Sequence, residues 1–455
     1  MLVLDAGDSL YAHKGAAQPI DGLALDQARI KAKLMLGQWS ADHMDAAAVG
    51  LGDLALGQAW LAEQAAAFEV PLLASNLRCG GAAPWPEQRR LEAAGQRILV
   101  FGLMSAGPAG EGCEATPPVA ALRALLDTPN AMQDVDLVVV LSSAGPEVTA
   151  ELAAAAPELD LVIDAAGAPP TPTPRALSGG AWSIAGGPKG RSVGLATIAL
   201  TPGGRGLVAA GGASEAAVRL ERVEARLAAA ERQRDEAAEG PAKTRAEDRL
   251  RFLHQERDRA RAAAADEAAR AAAAPKAHPF EIKLIALDEA VASAPSADAA
   301  VQAAKAEIEV RSKAAASERK RRDSSHFAGA AACASCHPAA QQQWAGTAHA
   351  RAWASLQAVQ RDQDLACWGC HSTGARQAGG PMAPSETEGL TDVQCEACHG
   401  PSAAHAASPA TAPKPVRSPP VETCTQCHDG AQDGGRFDWA RYRPQVVHPS
   451  GPAGG

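Results

Sequence analysis

The residues best suited to chemistry lie in the C-terminal third of the chain. Residues 392–406 read DVQCEACHGPSAAHA, where two cysteines and two histidines fall within eleven residues. Eight of the ten cysteines lie between positions 333 and 427 as pairs three residues apart, and a histidine follows every pair. We number these motifs 1 to 4 in chain order: Cys333, Cys336 and His337; Cys367, Cys370 and His371; Cys395, Cys398 and His399; Cys424, Cys427 and His428.

The position of the histidine narrows the chemistry of these pairs. A C-x-x-C pair alone suits half of a zinc site or a redox-active disulfide. Neither explains why a histidine directly follows each second cysteine. C-x-x-C-H is the attachment site of c-type haem, in which both thiols bond to the porphyrin and the histidine becomes an axial iron ligand. The four copies predict four covalently bound haem c groups, held by the eight cysteines and ligated by the four motif histidines.

The other histidines of this region match the number of remaining axial positions. From position 323 onward the chain has eight histidines, of which four lie outside the motifs: His326, His349, His405 and His448. We predict that these four are the second ligands of bis-histidine haems, whose potentials are low because no methionine binds the iron. Met382 is the only methionine in the region, so histidine–methionine ligation could apply to one iron at most. The alternative for each is an ordinary surface histidine near a haem.

Two segments resemble those of a known family. CASCHPAAQQQWAGTAHARAW (333–353) and CEACHGPSAAH (395–405) are similar to haem segments of the tetrahaem cytochromes c of nitrifying bacteria. Trp344, Thr347 and His349 stand in the positions that precede and form the family's distal ligand. The resemblance extends over about 328 to 448. It implies haem binding but leaves the activity open, because relatives include both electron carriers and haem enzymes with one open iron.

The first 213 residues have the pattern of an α/β domain. Short apolar runs such as RILVFGLM and DVDLVVVLSS alternate with alanine-rich helical patterns. Runs of this kind predict buried strands in a layered α/β sandwich.

The order of the motifs at the strand ends resembles the metallophosphoesterase domain of bacterial 5′-nucleotidases. That family holds two metal ions with D-x-H, G-D, G-N-H-D/E, a lone histidine and G-H-x-H. In this chain Asp8 matches the G-D aspartate and Asp53 is a weaker second candidate, while a D-x-H motif would precede Met1. The remaining ligand positions hold Leu51, Gly52, Ser143, Ala166 and Ala168. We therefore expect a catalytically dead domain without a divalent metal; a site remodelled for another ligand and an active phosphoesterase are the alternatives.

A charged helical segment separates the two parts. Apolar residues recur at spacings of three and four, as in a coiled coil: Leu220, Val223, Leu227 and Ala230, then Leu250 and Leu253 after a break at EGPAK (239–243). The Gly-Pro break predicts an antiparallel hairpin, which serves as a spacer or packing arm or as a surface for homo-oligomers. PFEIKLIALDEA reads as a strand that returns to the α/β domain, 296–318 as a helix, and ERKRRDSS (318–325) as a linker.

These patterns predict three parts. Residues 1–213 form the degenerate metallophosphoesterase-like α/β domain, completed by 276–318; 214–275 form the antiparallel coiled-coil hairpin; 319–455 form a mainly helical or irregular tetrahaem cytochrome c domain. The net charge of −9 argues against a nucleic-acid partner, and the chain has no run of 18 apolar residues that could span a membrane.

The predicted chemistry indicates a place outside the cytoplasm. Covalent haem attachment in bacteria takes place there, so we expect a periplasmic protein. Since MLVLDAGDSL lacks the features of a signal peptide, we expect the export signal upstream of it. Cys79 and Cys113 could pair in an oxidising compartment. We expect electron transfer between redox partner proteins, with a haem-dependent oxidoreductase of small nitrogen or sulfur compounds as the alternative.

Overall fold

The computed structural model describes residues 1–11, 20–110, 112–165, 170–210, 215–236, 240–273, 276–318, 326–430 and 435–448. Two of the predicted features, Ala166 with Ala168 and most of the linker, lie outside the described residues. The chain divides into two compact units. The first unit comprises 1–20 and 32–294, and the second comprises 21–31 and 295–455.

All the strands of the described residues lie in the first unit. They are β1 (Leu4–Asp5), β2 (Ala46–Ala48), β3 (Leu72–Leu73), β4 (Leu77–Cys79), β5 (Gln88–Ala93), β6 (Gln96–Met104), β7 (Gly107–Pro108), β8 (Cys113–Ala115), β9 (Leu137–Ser143), β10 (Leu161–Asp164), β11 (Arg175–Ala176), β12 (Trp182–Ile184), β13 (Ser192–Ile198), β14 (Leu207–Ala209) and β15 (His278–Ala286). Every strand segment predicted from an apolar run contains at least one of them.

The helices are α1 (Gly22–Ala41), α2 (Gln58–Ala67), α3 (Pro118–Leu126), α4 (Pro146–Ala155), α5 (Glu215–Glu236), α6 (Pro241–Ala273), α7 (Pro295–Glu318), α8 (Ala330–Cys333), α9 (Pro338–Ala345), α10 (Ala352–Gln357), α11 (Cys395–His399), α12 (Ala403–Ala407), α13 (Val421–Thr425) and α14 (Trp439–Val446). In the described part of the chain no helix combines the length and apolar character that crossing a membrane requires.

The central sheet of the first unit has six strands in the order β11-β12-β10-β9-β6-β5. Strands β6, β9, β10 and β12 are parallel to one another, and the two edge strands are antiparallel to their neighbours. Smaller sheets have the orders β1-β2-β3, β13-β15-β14 and β4-β8-β7. Because the carboxyl ends of parallel strands meet at one edge, the residues that follow β1, β2, β9 and β10 are those that can form a site.

Side chains of the central sheet alternate between two cores. In β6, Ile98 and Val100 pack with residues of the smaller sheets, whereas Leu99, Phe101 and Leu103 pack with α3 and α4. Each apolar side chain of this size contributes about 1.5–3 kcal/mol when it is fully buried. The result is the layered α/β arrangement that the apolar runs predict, and the predicted fold class is confirmed.

Helices α5 and α6 form an antiparallel hairpin in the first unit. Leu227 and Ala230 of α5 pack on Leu250 and Leu253 of α6, all four being buried. These are residues of the apolar stripe seen in the sequence.

A disulfide links Cys79 to Cys113, which lie opposite each other on β4 and β8. Strand β15 pairs with β13 and β14 inside the first unit, whereas α7 belongs to the second. The observed division therefore falls between 294 and 295, not at the expected boundary between 318 and 319.

Candidate functional site

The four motifs lie in the second unit on short elements. Motif 1 begins at the last residue of α8, motif 3 forms the whole of α11, and motif 4 begins inside α13. Motif 2 lies in turns held by Asp364, whose backbone carbonyl accepts the N–H groups of Cys367 and Trp368 at 2.9 and 3.1 Å. Seven motif cysteines are half-buried and Cys336 is exposed; all eight are free thiols. Such accessible thiols can react with a porphyrin that lies against these elements.

Cysteines from different motifs lie next to each other. The Cys333 thiol donates a hydrogen bond to the Cys395 sulfur, which lowers the pKa of Cys395 to about 7 and raises that of Cys333. In the same way Cys427 donates to Cys370, which lowers the pKa of Cys370 to about 7. Motif 1 therefore adjoins motif 3, and motif 2 adjoins motif 4.

Two of the predicted distal histidines face a motif histidine. The Nε2 atoms of His399 and His448 are 3.4 Å apart. The ring centroids of His349 and His428 are 6.3 Å apart. Since an imidazole–metal bond is about 2 Å long, two axial nitrogens on one iron stand roughly 4 Å apart. The His399 and His448 nitrogens come close to this spacing, whereas the His349–His428 distance is between ring centroids; each pair joins one motif histidine to one histidine from outside the motifs.

Backbone carbonyls orient the rings of several histidines. The Nδ1 atoms of His371, His399 and His326 lie 2.7, 2.5 and 3.1 Å from the carbonyl oxygens of Ala352, Val416 and Ala378. Such a bond keeps the proton on Nδ1 and leaves Nε2 as the lone-pair donor, which is the common arrangement for metal-binding histidines. Burial, together with the nearby His428, lowers the pKa of His349 and favours its neutral, ligating form.

The second unit also buries polar atoms that lack a partner among the described residues. They include Trp368 Nε1, inside motif 2, and His405 Nδ1. Trp368 is completely buried, with the Arg376 guanidinium 5.7 Å from its ring. Buried polar atoms without a hydrogen-bond partner are rare in native proteins. A bound group with carboxylate or aromatic surface could contact these atoms. The donor set and its surroundings fit haem.

The sequence pattern does not predict two further buried side chains near motif 3. Gln394 and Glu396 flank Cys395 and are 8% and 3% exposed. A polar residue buried next to a motif cysteine leaves no periodic signal, and only its place beside Cys395 could have drawn attention to it.

The first unit gathers carboxylates at the carboxyl ends of β1 and β2. Asp53 is 2% exposed. Its oxygens accept backbone N–H groups of Asp8, Leu10, Tyr11 and Gly50 at 2.9–3.1 Å. Asp8 accepts the N–H of Gly52 at 2.7 Å and has a left-handed backbone, with φ of 55°. The carboxylate oxygens that a metal ion would need are thus bonded to the protein's own backbone.

Burial raises the pKa of these acids. It raises the pKa of Asp5 to about 6 and, helped by the charge of Asp8, that of Asp53 to about 7. Ser143, at the position of the family's lone histidine, is buried and its hydroxyl has no hydrogen-bond partner among the described residues. In the described ranges, no group of three or more histidine, cysteine, aspartate or glutamate side chains is placed to hold a metal ion.

Comparisons with known proteins identify relatives of both parts. Residues 332–400 match the family described as cytochrome c554 and c-prime, a range that contains motifs 1 to 3. Cytochrome c-554 of Nitrosomonas europaea is 41% identical over 90 residues, which are 16% of this chain and 38% of that protein. The chain thus spans well under half of this relative's length. The match supports a multihaem c-type cytochrome and confirms the resemblance seen in the C-terminal motifs.

The structural neighbours of the N-terminal part are phosphoesterase-like proteins. The sulfate thiohydrolase SoxB of Thermus thermophilus is 22% identical with a TM-score of 0.36, covering 43% of this chain and 35% of that one. A 5′-nucleotidase precursor, also of Thermus thermophilus, is 18% identical with a TM-score of 0.36, covering 44% and 42%.

Proposed function

We propose that this protein is an extracytoplasmic tetrahaem cytochrome c that transfers electrons between redox partner proteins. The observation that carries the proposal is the pairing of motif histidines with outside histidines, His399 with His448 and His349 with His428. Haem iron with two histidine ligands supplies a one-electron couple at low potential. Two saturated axial pairs suit electron transfer, because a bound ligand at each axial position leaves no place for a substrate.

The residues have separate tasks in this proposal. The eight motif cysteines hold four haem c groups, and His337, His371, His399 and His428 are the proximal ligands. His349 and His448 are distal ligands to motifs 4 and 3. The contacts Cys333–Cys395 and Cys370–Cys427 support haems that lie close together within each pair of motifs, as electron transfer requires.

A second function, catalysis at one open iron, has an observation in its favour. His326 and His405 are the two remaining candidates for motifs 1 and 2, and within the described residues neither has a ring contact with a motif histidine such as His349 and His448 have. If one of them is not a ligand, an iron stays open and the protein reduces or oxidises a small nitrogen or sulfur compound.

Carbon monoxide binding separates the two functions. The measurement is optical spectroscopy of the fully reduced, haem-loaded protein with and without the gas. Electron transfer predicts no change in the Soret band, because all four irons keep two ligands. A change equivalent to one haem would overturn bis-histidine ligation throughout and support catalysis.

We further propose that the first unit has no phosphoesterase activity. Its strand ends lack the family's histidines, and the carboxylate oxygens of Asp53 are bonded to backbone N–H groups, which leaves them less available to a divalent cation. Phosphatase assays with several divalent ions test this directly. Hydrolysis that Asp8→Ala abolishes would contradict the proposal.

The location outside the cytoplasm rests on cysteine chemistry. The Cys79–Cys113 disulfide suits an oxidising compartment, as covalent haem attachment does. Detection of the haem-stained protein in a periplasmic fraction of its host tests the location.

A further inference from the structure

The carboxylate of Glu396 lies at the centre of a buried cluster of donors. Its side chain is 3% exposed. Both oxygens lie 3.0 Å from the Ala328 backbone nitrogen, and further N–H donors are Gly329 at 2.8 Å and Ser402 at 2.7 Å. All these partners are donors and none is an acceptor, so the contacts suit the ionised carboxylate.

Gln394, the residue before Cys395, binds the same segment, 328–330. Its Oε1 accepts the Ala330 N–H at 2.5 Å, and its Nε2 donates to the carbonyls of Gly389 and Thr391 at 3.0 and 2.7 Å. Ala330 is the first residue of α8, the helix that ends at Cys333. The two side chains beside Cys395 therefore fix the start of the helix that carries motif 1.

The charge of Glu396 lies close to both attachment points. The carboxylate acts on the thiols of Cys333 and Cys395 alike, since its charge favours the protonated form of each and acts to raise both pKa values. A buried charge is screened less than one at the surface. A negative charge beside a haem favours the ferric state, which has one more positive charge than the ferrous state.

We propose that Glu396 is a positioning and potential-setting residue shared by motifs 1 and 3. It fixes motif 1 against motif 3 through the segment 328–330, and its buried charge lowers the reduction potentials of the haems attached at Cys333 and Cys395. The inference deepens the proposed electron-transfer function and rests on it.

The test uses the full chain, matured with haem, as wild type and as Glu396→Gln. Spectroelectrochemical titration gives the four midpoint potentials, and the haem content is measured first by the pyridine haemochrome spectrum. Removing the charge shifts two of the four midpoints to more positive values and leaves the other two in place.

Glu422→Gln is the matched control. Glu422 is exposed and lies two residues before Cys424, so the same charge is removed beside motif 4 but in water. Its midpoints stay at the wild-type values. Midpoints of Glu396→Gln that equal the wild-type values, or a shift of the same size in Glu422→Gln, would overturn the inference.

Glu396→Asp separates charge from position, and it serves if Glu396→Gln does not mature. The shorter side chain keeps the charge but moves it away from the N–H donors, so thermal stability falls while the midpoints stay near the wild-type values. Midpoints shifted positively in Glu396→Asp would contradict the role of the charge. Wild-type protein without covalent haem would instead refute the proposed function, whatever the variants do.

Discussion

Asp53 in the first unit and Glu396 in the second make the same kind of contact in different surroundings. Both are almost completely buried carboxylates, and both accept several backbone N–H groups. Asp53 lies beside Asp5 and Asp8, and burial with the Asp8 charge raises its pKa to about 7. Glu396 lies beside the cysteines of two motifs.

A buried carboxylate can serve different roles in the two units. In the first unit backbone N–H groups close around the acid. In the second unit the same kind of contact joins two segments that must stay together. The backbone N–H donors alone do not determine the role of a buried carboxylate. The side chains around it do.

The largest effect on stability is expected from removal of the Glu396 carboxylate. Glu396→Ala leaves the buried N–H groups of Ala328, Gly329 and Ser402 without an acceptor, which destabilises the second unit by about 3–5 kcal/mol. Thermal unfolding followed by Soret circular dichroism measures the loss. Glu422→Ala is the control, and an equal effect of both variants would mean that the N–H contacts of Glu396 contribute little.

Asp53 gives a pH dependence with a defined sign. Its pKa rises from 3.8 to about 7 on folding, so the folded state binds more protons between these values. The contribution of Asp53 therefore destabilises the first unit as pH rises from about 4 to about 7, by on the order of 4 kcal/mol. Denaturant unfolding across this range measures the slope.

The control for that slope is Asp53→Asn, which cannot ionise. Its stability should depend less on pH over the same range, although the amide replaces one acceptor oxygen by a donor. An unchanged slope in the variant would assign the pH dependence to other groups, with Asp5 the first to examine.

A third buried carboxylate, that of Asp364, differs from these two because it is paired with cations. Asp364 is 4% exposed and binds Lys31 at 2.6 Å and Arg361 at 2.8 Å. Burial opposes ionisation, but the two cations hold the pKa of Asp364 below its usual value. Lys31→Met leaves Arg361 in place, so we expect a loss of about 1 kcal/mol, measured by chemical denaturation. A loss as large as that of Glu396→Ala would show that the lysine is the essential partner.

The smallest effect is expected from divalent metal. Adding manganese, zinc or calcium to the protein should leave its unfolding temperature unchanged, because a ligand that does not bind the folded state cannot stabilise it. A rise that disappears in Asp8→Ala would show that a metal displaces the backbone donors around these acids.

The sequence predicts the parts of this molecule that repeat. The motif cysteines and histidines are recognisable because their spacing recurs four times, and the strands because apolar side chains must fill two cores. In β6, alternate residues face opposite cores, and a run of nine largely buried residues can do this only as a strand.

Contacts between distant segments could not be predicted in the same way. Counting histidines gives the number of possible ligands, but the pairing of His349 with His428 depends on how the chain folds back over 79 residues of sequence. Glu396 contacts residues 67 and 68 positions earlier. No local pattern contains such information.

The Cys79–Cys113 disulfide has a consequence for how the protein is made. Under the proposed function the ten cysteines undergo two different reactions: two are oxidised to a disulfide, and the eight motif cysteines stay reduced until each sulfur forms a thioether. An oxidising compartment favours the disulfide but also favours unwanted oxidation of the motif thiols. Neighbours such as Cys333 and Cys395 are close enough to react with each other. Successful maturation therefore depends on timing, with haem reaching the thiols before the oxidant does.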